Sequence, residues 1–265
     1  MGFVNANGVR LHYAQQGHGD DVLLLCGLGD DTSAWDAQVP AVAERYRVTV
    51  LDNRGVGQSS LPDGAFGIRE MAADAAGLAA ALELRRVHVA GFSMGGAIAQ
   101  ELALAEPALV RSLTLVDTWC RSDRMLQELV RGAAWSAGVA DDAEPWLRSF
   151  LALVYSPAMH DDGRVDAFVA AALASPHPQS TEAFQRTAHA TLDHDTADRL
   201  ATIAVPTLVI CGEQDLLCPP RHSRAIADRI AGARLVEIPE QAHQPFQEDP
   251  GGFNDLFLDF LAHVA

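Results

Sequence analysis

Short apolar runs alternate with stretches of helical spacing along most of this chain, and the alternation breaks off near Asp117. Val22–Cys26, Val48–Leu51, Val87–Gly91 and Leu113–Asp117 are continuous apolar runs of strand length. Between them, Ser33–Arg45 places Trp35, Val39 and Val42 at helical spacing, and Ile68–Leu84 is an alanine-rich helical stretch. Continuous apolar strands separated by helices predict a mostly parallel sheet buried on both faces, an α/β fold. Ahead of them, Phe3–Ala6 and Val9–Gln15 flank Asn7-Gly8, the signature of a two-residue hairpin turn.

From Arg121 to about Ala201 the pattern is helical throughout, around Leu126–Trp135, Trp146–Tyr155, Val165–Leu173 and Ala183–Leu192. The alternation then resumes with a strand at Val205–Cys211, a helix at Arg221–Ile230, a strand at Arg234–Ile238 and a final helix at Phe253–Val264. A helical block inserted between two strands of one sheet predicts a cap, residues 121–201, over the sheet's carboxyl edge. The core is then residues 1–120 with residues 202–265. No repeat, low-complexity tract or linker divides the chain further.

One junction in this pattern carries chemistry. Gly91-Phe92-Ser93-Met94-Gly95-Gly96 joins an expected strand to an expected helix and reads G-x-S-x-G. In that context the serine sits on a tight turn with its hydroxyl exposed, and the helix behind it aims free N–H groups at developing negative charge. A serine hydroxyl needs a base beside it, oriented in turn by a carboxylate. Suitable residues follow the last two strands: Gly212-Glu213-Gln214-Asp215 after one, and Glu240-Gln241-Ala242-His243 after the other. Both segments fall on the edge where ligands bind in open α/β sheets.

With these segments the chain resembles the α/β-hydrolase family over essentially its whole length. Four signatures appear in the family's order: the glycine turn Cys26-Gly27-Leu28-Gly29, the Arg54-to-Ser59 segment, the serine turn, and the Gly-x-x-Asp and His-x4-Glu-x-Pro tails. The resemblance implies Ser93 as nucleophile, His243 as general base and Asp215 as its orienting acid. It also implies an oxyanion hole from the backbone N–H groups of Leu28 and Met94. Asp117, ending the strand after the serine's helix, is where some members carry the acid; the Gly-x-x-Asp match favours Asp215. Members commonly have histidine where this chain has Cys26, so altered packing of that turn is expected. Trp35-Asp36-Ala37-Gln38-Val39-Pro40 is most similar to 3-oxoadipate enol-lactonases and cofactor-free haloperoxidase/esterase members.

These readings converge on hydrolysis of a small to medium hydrophobic carboxylic ester or lactone through an acyl-serine. The same residues also suit a C–C bond hydrolase, a lyase or cyclase, or a small-molecule receptor. Phe92, Trp119, Trp135, Trp146, Phe150 and Phe246 are expected around the substrate, with Tyr155, Phe168 and Phe184 as further aromatics of the cap. Among the other histidines, His189 and His194 are expected at the surface of the helical block, and no metal site is expected. Asp30 and Asp31 read as caps of the helix beginning near Ser33, and Glu248 as serving a helix entrance.

Composition narrows the remaining classes. The formal net charge of −16 disfavours nucleic acid and anionic membranes as partners. All 19 basic residues are arginine, which excludes Schiff-base chemistry, a pyridoxal phosphate anchor and a P-loop lysine. No G-x-G-x-x-G occurs, so no cofactor is expected. The four cysteines form no C-x-x-C pair, the first residues lack a signal-peptide layout, and no apolar run approaches membrane-span length. A cytoplasmic protein with a small-molecule substrate is the expectation; the oligomeric state is not encoded legibly.

Overall fold

The computed structural model describes residues 1–264. Eight strands form one sheet: β1 (Gly2–Ala6), β2 (Val9–Gly17), β3 (Asp20–Leu25), β4 (Tyr46–Leu51), β5 (Val87–Phe92), β6 (Val110–Val116), β7 (Thr207–Gly212) and β8 (Arg234–Ile238). Their spatial order is β1-β2-β4-β3-β5-β6-β7-β8. The β1–β2 and β2–β4 pairs are antiparallel, and every later pair is parallel. The hairpin turns at Asn7 and Gly8, both with positive φ (49° and 76°) as such a turn demands.

Helices cover both faces. In chain order they are α1 (Val39–Ala43), α2 (Ile68–Ala81), α3 (Met94–Ala105), α4 (Arg124–Val139), α5 (Ala143–Leu151) and α6 (Pro157–Asp161), then α7 (Arg164–Leu173), α8 (Thr181–Ala190), α9 (Pro220–Ala227), α10 (Pro245–Glu248) and α11 (Pro250–His263). Strand β3 shows why both faces must be covered. Its side chains alternate, Leu23 and Leu25 into the core under α2 and α3, Val22 and Leu24 into the core with Trp35 and the α11 phenylalanines.

The expected helix over Ser33–Arg45 is instead a 3₁₀ turn, Thr32–Trp35, followed by α1. Pro40 is the reason: it has no N–H for a helical bond to Asp36, and here it sits in the first turn of α1, where none is needed. Helix α2 stops at Ala81 rather than Leu84, because Glu83 turns left-handed (φ 54°). The short helices α6 and α10 were not legible, each being about one turn long and opened by proline.

The five helices α4–α8 all lie between β6 and β7. The two chain crossings into them meet: Thr196 N–H donates to the Cys120 carbonyl (2.7 Å) and Ser122 N–H to that of His194 (2.9 Å). Among the described residues no helix is long and apolar enough to cross a membrane.

Candidate active site

Strand β5 ends at Phe92 and α3 begins at Met94, so Ser93 alone makes the connection. A reversal that tight holds Ser93 at φ 52° and ψ −123°, strain of about 1–3 kcal/mol for a residue with a Cβ. A Cβ on Gly91 would strike the backbone of Gly95, and one on Gly95 would strike the Leu25 carbonyl. Those two glycines are therefore required by sterics. The turn is held by Ser93 N–H donating to the Val116 carbonyl (2.9 Å) and Thr118 Oγ1 donating to the Ser93 carbonyl (2.7 Å).

Ser93 Oγ lies 2.9 Å from His243 Nε2, and His243 Nδ1 lies 2.7 Å from Asp215 Oδ2. The other Asp215 oxygen accepts the N–H groups of Leu217 (2.8 Å) and Cys218 (2.9 Å). These bonds fix the carboxylate and favour the imidazole tautomer protonated at Nδ1, leaving Nε2 to accept from the serine. All three side chains are buried. Asp117 takes no part in this chain of contacts. Its Oδ1 accepts from Gly212 N–H (2.9 Å), and burial with Asp215 alongside pushes its carboxyl well above the usual carboxylate range.

Three consecutive residues beyond α5 clamp the segment that carries His243. The Val154 carbonyl accepts His243 N–H (2.9 Å), Tyr155 Oη donates to Gln247 Oε1 (2.5 Å), and Ser156 N–H donates to Glu248 (3.0 Å). Glu248 also accepts from Ala242 N–H (3.1 Å). It is thus an anchor for this loop, and the helix entrance expected of it is served by Asp249, whose side chain accepts from Gly252 N–H.

Ser93 and His243 open into a cavity of about 560 Å³, its mouth included. Leu28, Phe92, Trp119 and Phe150 line it together with Leu126, Val130, Val154 and Leu217. The sequence pattern shows the buried stripe Leu126, Val130 and Ala134 of α4 through its four-residue spacing, but not what the stripe faces. Trp135 is not at the cavity; it is 68 % exposed. One residue beyond Ala134 is about a 100° turn of the helix, which carries its ring to the outer face. Trp146 stands behind the cavity, stacked on Phe150 (6.1 Å) and edge-on to Phe184 (5.0 Å). Phe246 belongs to the sheet core, 4.6 Å from both Trp35 and Phe92.

Two further expectations are corrected. His194 is buried against Trp119, and burial holds its imidazole down at about 4; His189 is exposed as expected. Asp31 does cap the first turn, accepting from Ser33 N–H (2.9 Å), but Asp30 lines the cavity. Cys26 is buried with its thiol donating to the Asp31 carbonyl (3.2 Å), and burial pushes it well up, the state of an unreactive thiol. Met94 opens α3, so its N–H has no partner within the helix, and Leu28 lines the same cavity as Ser93. Asp215, Cys218 and His243 bring possible metal-ligating atoms within 4.8 Å of one another. Both Asp215 oxygens and both His243 nitrogens are already committed to hydrogen bonds, so this group does not fit a resident ion.

The comparisons with known proteins agree with this fold. A relative from Azorhizobium caulinodans that carries the name carbamate hydrolase is 32 % identical over 264 residues, covering 100 % of this chain and 99 % of the relative. The enol-lactonase of Burkholderia xenovorans superposes with a TM-score of 0.89 at 28 % identity, over 98 % of this chain and 100 % of that one. A thermophilic esterase from Thermogutta terrifontis gives 0.89 at 26 % identity, covering 100 % and 99 % of the two chains. The family model described as the alpha/beta hydrolase fold matches residues 21–250. With that match the chain belongs to the α/β-hydrolase family.

Proposed function

We propose that this protein is a serine hydrolase that cleaves small to medium hydrophobic carboxylic esters or lactones through an acyl-serine intermediate. The observation that carries this reading is the continuous Ser93–His243–Asp215 hydrogen-bonded series at 2.9 and 2.7 Å beside an apolar cavity. Ser93 Oγ attacks the substrate carbonyl carbon while its proton passes to His243 Nε2. Asp215 holds the ring and stabilises the imidazolium that forms. The oxyanion is received by the N–H groups of Met94 and Leu28, a donor pair of the kind usually worth about 3–4 kcal/mol per donor. His243 returns its proton to the leaving alkoxide, then takes one from water as it attacks the acyl carbon; the bond from that carbon to Ser93 Oγ breaks as His243 passes the proton back to Oγ, releasing the acid. Residues 121–201 act as a cap whose α4 and α5 side chains shape the acyl site. Enol-lactonase and esterase structural relatives support this substrate class.

The test is labelling with an uncharged alkyl fluorophosphonate, with turnover of p-nitrophenyl esters, lactones and aryl carbamates. The expected result is one label on Ser93 and ester or lactone turnover lost with that label. Labelling elsewhere, or turnover that survives complete labelling of Ser93, overturns the reading.

A further inference from the structure

The cavity holds one carboxyl group that the proposed chemistry does not use. Asp30 stands two residues beyond Leu28 on the glycine turn, and its side chain lines the same cavity as Ser93 and His243. Its work is not capping, because Asp31 performs that. Its one hydrogen bond among the described residues is a long one, from Gln244 Nε2 at 3.5 Å.

What surrounds it matters as much. Among the described residues no arginine lines the cavity, and the chain has no lysine to offer. Leu28, Leu126, Val130 and Leu217 make most of the lining apolar. An anionic acyl group entering here finds no counter-ion and meets a carboxylate, where recognition of an anion calls for arginine or lysine. The charged and titratable groups facing Asp30 are few: Asp31 beside it on the turn, His243 across the cavity, the Cys26 thiol at the start of the turn, and the Tyr155 hydroxyl from the helical block.

We propose that Asp30 is a specificity-determining residue that bars acyl chains ending in an anion and admits uncharged ones. The proposal rests on the serine-hydrolase reading above and adds the charge class of its substrate. Burial, with Asp31 adding repulsion, pushes the Asp30 carboxyl from 3.8 up to about 7. Below that pH the carboxyl is neutral and the bar is lowered; above it the bar is complete.

The experiment compares kcat/KM for p-nitrophenyl pentanoate and mono-p-nitrophenyl glutarate, which differ by a terminal carboxylate. The expected preference for the pentanoate is about tenfold or more at about pH 8.5, and several-fold smaller at about pH 6. In Asp30→Asn the preference at the higher pH drops by about fivefold or more and no longer varies with pH. Asp30→Ser is the second variant should the first not fold, and the wild-type pH dependence is a test needing neither. A preference that is the same in variant and wild type, or flat with pH in the wild type, overturns the role of Asp30 while ester turnover leaves the serine chemistry standing. Absence of both turnover and fluorophosphonate labelling of Ser93 overturns the two together.

Discussion

Asp30→Asn is expected to make the protein more stable at alkaline pH, and the gain is expected to shrink as the pH falls. The folded protein holds this carboxyl at about 7 against an ordinary 3.8. Below about 3.8 the group is neutral in both folded and unfolded chains, and its contribution to stability is fully present. As the pH rises the unfolded chain ionises first, so stability is lost progressively until the folded group ionises near 7. At about 1.4 kcal/mol per pH unit, the whole window corresponds to about 4 kcal/mol. The part lying between about pH 5 and about pH 8 is about 3 kcal/mol. Water entering the cavity mouth screens the charge, so about 2 kcal/mol is the working expectation. For a chain of this size that is roughly 4–8 °C in Tm. Urea denaturation of wild type and variant at the two pH values, analysed at equal slope, measures it directly. A stability difference that is constant between the two pH values, or that favours the wild type more at the higher one, refutes the placement of this charge.

Other outcomes follow from the same geometry. Ser93→Ala should abolish turnover while leaving the circular dichroism spectrum unchanged, since it removes one hydroxyl and no packing atom; activity within about tenfold of wild type would remove the nucleophile assignment. Asp215→Asn should lower kcat by roughly 10⁴, whereas Asp117→Asn, which has no hydrogen bond to His243 to lose, should stay within about tenfold; steady-state kinetics on one ester ranks them. His194→Leu should make the protein less sensitive to acid. The buried imidazole stays neutral down to about 4 while the unfolded chain protonates near 6.5. Stability therefore falls as pH drops through that window, by about 2 kcal/mol between pH 6.5 and about pH 5. Urea midpoints at those two pH values check the difference. Glu248→Ala, which strands the Ser156 and Ala242 N–H groups, should cost about 1–3 kcal/mol of stability and lower kcat more than it raises KM.

What could be read in the sequence was what depends on local pattern. The central strands were legible because a strand buried on both faces is a continuous apolar run, and Val87–Gly91 needed almost no adjustment. Ser93 was legible from the G-x-S-x-G pattern at a strand-to-helix junction, and Asp215 and His243 because each follows a strand's carboxyl end within a short polar segment. Legibility failed where direction mattered. Trp135 and Trp146 sit on amphipathic helices whose partners the spacing does not identify, and a ring one position off the buried stripe faces solvent instead of substrate. Asp30 and Asp31 are adjacent and chemically identical, yet the turn sends one to a backbone N–H and the other into the cavity. His194 looked like a surface residue because nothing near it in sequence shows Trp119 packing against it. Such placements depend on contacts between residues far apart in the chain, which periodicity does not report.

The clamp of Val154, Tyr155 and Ser156 on the loop of His243 bears on how such helical blocks can be exchanged. The meeting of the two crossings near Cys120 and Thr196 marks where a recombination event would graft a foreign block onto this sheet with little disturbance. A graft at that joint alone would discard the acceptor for His243 N–H and the hydroxyl that holds Gln247. The histidine's position is thus inherited partly from the inserted helices and not from the sheet alone. Chimaeras that carry the 154–156 stretch together with a matching 242–248 loop are the ones expected to keep their activity, so these two distant segments should be exchanged, and should diverge, as a pair.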